Sequence, residues 1–138
     1  MVINEKISFS TRGSTDIIDI TGKVKAVLDK HEVKNGAVTV FIPGSTGAIT
    51  TIEYERGVVS DLRRLINELI PPDREYQHNQ AWGDGNAHSH LGSALLGPSL
   101  SIPVVDGSLT LGTWQQIVFI DCDNRPRQRT LIVQIMGE

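Results

Sequence analysis

Only two stretches of this chain repeat their apolar residues every three to four positions, and the remaining apolar segments alternate or run in short β-branched blocks. A parallel sheet needs a crossover, usually a helix, between neighbouring strands. Two helices are too few for that many strands. The predicted fold is therefore α+β: mostly antiparallel β-sheets with two amphipathic helices on one side, in a single compact domain over residues 1–138. A chain of 138 residues buries enough surface to hold such a core without disulfides or metal.

In chain order, Ile3, Ile7 and Phe9 mark the inward side of a first strand over residues 2–9. Ser14 or Thr15 then offers an N-cap, with Asp16 and Asp19 suited to a first helical turn. Ile17, Ile20, Val24, Val27 and Leu28 follow at helical spacing, so a helix is predicted from there to residues 29–31. Asn35-Gly36 is a turn signal before a strand over 37–42. A loop at 43–47 leads to a strand over 48–54, where Thr51 and Glu53 share one face. From Val58, the spacing of Leu62, Leu65, Ile66 and Leu69 predicts the second helix, stopped by Pro71-Pro72. Further strands are expected over 93–96 and 99–105, with an Asp106-Gly107 hairpin turn returning through 109–111. Two long strands, 114–121 and 128–136, complete the chain.

The segment from His78 to Gln115 holds three of the four histidines and both tryptophans. His88 and His90 form an H-x-H pair whose side chains share a side if the backbone is extended, and His78 lies upstream. Together the three predict a first ligand set for Zn²⁺ or a similar cation with an open position. Asp84, Glu53 or Glu55 would be a further ligand or a hydrogen-bond partner. The competing reading has these histidines bonded to loop backbone. Ser45 and Thr46, in the loop Gly44-Ser45-Thr46-Gly47, suit a small anion. Arg125, Arg127 and Arg129 fall on alternate positions, as a bidentate phosphate clamp or as a trio paired with Asp121, Asp123 or Glu residues on a neighbouring chain. Trp114 either floors a pocket for a flat heterocycle or packs on a sheet.

Other classes are disfavoured. A net charge of −3 gives no reason to expect a nucleic-acid or anionic-membrane partner. The first residues lack a secretory signal, and no apolar run is long enough to span a bilayer, so a cytoplasmic location is expected. The single cysteine, Cys122, excludes an internal disulfide and a cysteine-based zinc knuckle and is read as structural. Ser99 and Ser101 lack the nucleophile elbow of a serine hydrolase.

The runs HSHLGSALLGPSLSIPV (88–104), DGSLTLGTWQQI (106–117), RPRQR (125–129) and the terminal QIMGE are similar to the YjbQ family over essentially the whole chain. That resemblance implies an α+β subunit in a homotrimer, with weak secondary thiamine-phosphate synthase activity that joins hydroxymethylpyrimidine diphosphate to thiazole phosphate. It places His90, Ser93, Gly97 and Ser99 in one family element and Gly112, Thr113, Trp114 and Gln115 in another. His78 matches an upstream histidine and Glu53 a glutamate after a strand pair. The implied catalytic set is His78, His90 and Glu53. The implied contacts to a small phosphorylated metabolite are Ser45, Thr46, Ser93, Ser99, Trp114, Gln115, Arg125, Arg127 and Arg129, at a site between subunits. Mg²⁺ would accompany a diphosphate substrate. Where many members carry a His-Thr-Ser sequence this chain has Gly44-Ser45-Thr46, which removes a possible ligand, and His88 is the expected replacement. Two other classes share these residues: a metal-dependent hydrolase or lyase of a small phosphorylated metabolite, and a non-catalytic metabolite-binding protein.

Overall fold

The computed structural model describes residues 1–138. The larger of two antiparallel sheets contains β1 (Val2–Thr11), β3 (Gly36–Phe41), β5 (Ser99–Val105), β6 (Ser108–Leu109) and β8 (Arg127–Gly137), in the order β1-β8-β3-β5-β6. The smaller contains β2 (Asp16–Asp19), β4 (Gly47–Ile52) and β7 (Gln116–Asp121), in the order β2-β7-β4. Four helices accompany them: α1 (Thr21–Asp29), α2 (Arg56–Leu69), α3 (Gln77–Ala81) and α4 (Ala87–Leu96). The expected α+β architecture with antiparallel sheets is present, and every strand pairing is antiparallel.

The molecule is layered. The inward face of the large sheet, with Ile7, Val38, Val40, Leu131 and Val133, packs on α1 through Val24 and Leu28 and on Ile49, Ile117 and Phe119 of the small sheet. The other face of the small sheet buries Ile17, Ala48, Val118 and Ile120 against Val59 and Ile66 of α2. β7 is thus covered on both sides, and its residues from Ile117 to Asp121 are all buried. A continuous apolar run, rather than an alternating one, is what a strand between two layers requires.

Two expectations about secondary structure are corrected. Residues 16–19 are not the first turn of α1 but a strand, paired from Asp16 opposite Asp121 to Asp19 opposite Val118. Gly13, Ser14 and Thr15 all have positive φ, at 80°, 55° and 63°, and so form a left-handed turn instead of the extended N-cap the sequence suggested. The β7 ladder, about a hundred residues away in sequence, supplies backbone partners that local propensity cannot show.

Residues 93–96 are likewise helix, the last turns of α4, and not strand. The buried residues of α4 are Ala87, Ser89, Gly92 and Ser93. A Cβ on Gly92 would lie 3.0 Å from the Cys122 sulfur, so this helix packs closely by having small residues inward. Its outer side carries Leu91 and Leu95, 45% and 66% exposed. Apolar periodicity therefore points the wrong way. α3 is too short to produce a periodic signal at all.

Candidate functional site

β4 holds the two ends of the small sheet apart and decides which candidate residues can meet. At its N-terminal end, the loop before Gly47 meets α4: the His90 Nδ1–H donates to the Ser45 carbonyl at 3.1 Å, and the Ser93 hydroxyl donates to the Gly47 carbonyl at 2.6 Å. Across from α4, short helix α3 presents His78. The His78 and His90 rings meet edge to face, with centroids 5.0 Å apart and planes at 80°. They line one cavity of about 390 Å³ together with Tyr76, Gln77, Ala87 and Leu91.

Each of these rings is oriented by its other nitrogen. His78 Nε2 lies 3.0 Å from the Asn86 side-chain oxygen and so donates there, which leaves Nδ1 with the lone pair. Asp84 stands 3.9 Å from the same His78 nitrogen. Bonding of His90 Nδ1–H to Ser45 leaves its Nε2 as the basic nitrogen. Imidazoles fixed in this way can present their second nitrogen to a polar hydrogen at a defined point in the cavity.

His88 is elsewhere. The segment is helical, so residues two apart diverge by roughly 200° instead of sharing a side as they would in a strand. His88 Nδ1 is buried without a hydrogen-bond partner, and Nε2 lies 3.5 Å from the Ser89 hydroxyl. Burial lowers the His88 pKa, partly opposed by the charge of Asp123, so the ring is held neutral. The expected three-histidine ligand set is therefore not assembled, and no group of three or more His, Cys, Asp or Glu side chains has metal-binding geometry. His78 and His90 together bring two imidazoles, one short of the usual protein ligand count at a catalytic zinc.

Two of the three arginines expected in the clamp are engaged inside the fold. Arg129 is buried and grips Asp121 bidentately, with Nε and Nη2 each at 2.8 Å from a carboxylate oxygen, while its Nη2 also donates to the Thr46 hydroxyl at 2.9 Å. Arg127 Nε donates to Asp123 at 2.7 Å. Burial pushes the Asp121 carboxyl up, but bonds from Arg129, Thr11 and the Asp123 backbone N–H, with the Arg129 charge, hold it below the usual range. Of the two readings at Arg127 and Arg129, ion pairing is the one that forms, with Asp121 and Asp123 of the same chain. Thr46 and Ser93 are buried and engaged by the fold, Ser45 offers its carbonyl to His90, and Ser99 is exposed on β5 opposite Phe41. Arg125 is exposed on the turn before β8.

At the C-terminal end of β4 lie Glu53 and Trp114, which with Asp19, Tyr54, Glu55, Thr113 and Gln116 line a second, more polar cleft. Trp114 is 73% exposed, too open for a packing residue. The Gln115 amide donates to the Thr51 hydroxyl at 3.2 Å. At about 3.3 Å per residue, β4 puts Glu53 roughly 20 Å from the His90 end. One chain therefore carries the expected residues at two poles. Sequence reasoning missed Tyr76, Gln77, Ala87 and Leu91 as cavity walls; the turns of α3 and α4 create that wall and leave no motif.

Comparison with known proteins agrees with this architecture. The family model for UPF0047 protein YjbQ-like matches residues 5–138. A UPF0047 protein of Methanothermobacter thermautotrophicus is 39% identical over 137 residues, covering 99% of this chain and 94% of its own length. YugU of Bacillus subtilis is 33% identical over 132 residues, covering 95% and 97%. Among solved structures, a YbjQ-like protein from Sulfolobus solfataricus P2 superposes with a TM-score of 0.95 at 38% identity, over 100% of this chain and 99% of that one. A YjbQ/UPF0047 protein from Clostridium acetobutylicum superposes with a TM-score of 0.87 at 33% identity, over 96% and 99%.

Proposed function

Because this chain belongs to the YjbQ/UPF0047 family, we propose that its His78–His90 cavity is the reaction centre of a transferase resembling secondary thiamine-phosphate synthase, completed by a neighbouring subunit of a homotrimer. The carrying observation is the pair of imidazoles, each oriented by a hydrogen bond from one nitrogen, facing one partly apolar cavity. In the implied reaction the thiazole nitrogen bonds to the pyrimidine methylene carbon as the carbon–oxygen bond to diphosphate breaks, and the diphosphate leaves with that electron pair. His78 and His90 position the polar atoms of the substrates, and the apolar walls exclude water while the electrophilic carbon is exposed. Mg²⁺ would enter with the diphosphate.

The two-pole layout supports an intersubunit site. Glu53, Trp114 and Gln115 cannot reach His78 and His90 of their own chain, whereas a cyclic head-to-tail assembly brings one pole of each subunit to the other pole of the next. The exposed Trp114 ring would then wall the slot for a flat pyrimidine. A zinc-centred hydrolase or lyase is less well served, since it needs a third protein ligand that one chain does not gather beside His78 and His90.

The test is His90→Ala, assayed for diphosphate release and product formation from the two substrates, with sedimentation for oligomeric state and elemental analysis for bound metal. Product formation should fall at least about 100-fold with the trimer intact. Unchanged turnover sinks the assignment. A second reading, metabolite binding without turnover, is favoured by the internal engagement of Thr46, Ser93, Arg127 and Arg129, which leaves few polar groups free for chemistry. Tight binding of a co-purifying metabolite by a wild type without turnover would select it.

A further inference from the structure

The other arginines at the protein's clefts reveal a separate feature. Arg12, Arg64, Arg127 and Arg129 each have a carboxylate oxygen within 4.0 Å. Arg56, Arg63, Arg74 and Arg125 have no such partner, and of these Arg56 and Arg63 share one groove. Both line a groove of about 550 Å³ with Tyr54, Glu55, Val59 and Ser60. Positions 56, 60 and 63 recur at helical spacing, so Arg56, Ser60 and Arg63 form one stripe along the first turns of α2.

The groove is built rather than incidental. Arg63 Nε donates to the Thr15 carbonyl at 3.0 Å, which fixes the guanidinium and leaves both terminal nitrogens without a protein partner. The Tyr54 hydroxyl donates to the Ile17 carbonyl at 2.9 Å, which anchors its ring on the groove wall. Val59 is buried at the floor. Helix-end amides are not the donors, because the Glu55 carboxylate already accepts from Gly57 and Val58 N–H, each at 2.8 Å. That leaves two guanidiniums and a serine hydroxyl above an aromatic and aliphatic surface.

We propose that this groove binds a phosphate monoester, with the phosphoryl group held by Arg56, Arg63 and Ser60 and a flat or apolar body resting against Tyr54 and Val59. A planar fork meeting tetrahedral phosphate oxygens is the geometry that favours arginine over lysine. The Glu55 carboxylate on the rim selects for a ligand whose charge is confined to one end. The groove contains neither His78 nor His90, and it borders the Glu53–Trp114 cleft, with which it shares Tyr54 and Glu55.

The experiment is a titration of the full chain with inorganic phosphate and with phenyl phosphate, followed by nitrogen-15 NMR and calorimetry at low salt. Phenyl phosphate should bind several-fold tighter than inorganic phosphate and shift the Ser60 amide and the Arg63 side-chain N–H. Arg56→Gln, exposed and without a protein partner, should fold normally and weaken binding about tenfold, the loss of one charge-assisted contact. Arg63→Lys keeps the charge but loses the fork, and should weaken it as well. Groove binding should survive His90→Ala, so failure here is distinguishable from failure of the histidine site. Equal affinity in wild type and Arg56→Gln overturns the proposal, as do shifts confined to the His78–His90 cavity.

Discussion

Replacing Arg129 by Met tests whether the buried ion pair beneath the site holds the fold together. Asp121 is fully buried and receives two bonds from Arg129, one from the Thr11 hydroxyl and one from the Asp123 backbone N–H. Met retains much of the aliphatic stem where the guanidinium lies over Phe119, 5.6 Å from the ring centroid, so the change removes mainly the charge and its bonds. Asp121 is left as a buried carboxylate with half its donors. Breaking one side of such a pair costs about 3–5 kcal/mol. For a chain of this size that corresponds to a fall in Tm of roughly 10–15 °C at neutral pH.

The pH dependence supplies the sharper test. In the wild type the Asp121 carboxyl is held below its usual range, so its stabilising contribution is complete above the unfolded pKa, about 3.9, and is lost as pH falls through the folded value. In Arg129→Met the same carboxyl is buried without its cation, and burial raises its pKa instead. Its penalty is then relieved as acid protonates it. The stability difference, measured by chemical denaturation, should therefore be largest near pH 7 and shrink towards pH 4. Replacing Asp121 by Asn in the same variant should recover part of the loss. A cost below about 1 kcal/mol at pH 7, or a difference that grows with acid, refutes the reasoning.

Two further outcomes follow from groups near the site. Burial foremost, with the Asp121 charge adding to it, pushes the Cys122 thiol up to about 12, so a thiol reagent at pH 8 should modify it only at the rate of unfolding; rapid modification of the native protein would contradict that. Backbone N–H bonds from Gly57 and Val58 lower the Glu55 pKa, so capping of α2 should persist at neutral pH and fade as pH falls through that lowered value. Amide exchange at Gly57 and Val58 should show this dependence, and Glu55→Gln should flatten it.

Much of the fold was legible because alternation and burial coincide. Ile3, Ile7 and Phe9 do lie on the inward side of β1, and Asp106-Gly107 does turn the β5–β6 hairpin, both with positive φ. α2 announces itself through wide apolar spacing and the following prolines because one side of it faces solvent. α4 does not, since its inward stripe is Ser89, Gly92 and Ser93. Small residues permit close approach to β4 and Cys122 but carry no hydrophobic signal. β2 was hidden for a different reason: Ile17 and Ile20 fit a helical period as well as a strand, and only the β7 ladder decides between them.

The same division applies to the site. Sequence alone determined the family and the antiparallel α+β class, and it singled out His78 and His90 as candidates, because residue identity and spacing along one strand of text suffice for each. Tertiary structure decided which candidates could act together. Helical backbone turned His88 away from His90, buried carboxylates engaged Arg127 and Arg129, and the length of β4 set Glu53 and Trp114 at the opposite pole. Each of these outcomes depends on where a distant segment lies in space, a relation that side-chain direction and electrostatic pairing settle only once the layers have packed.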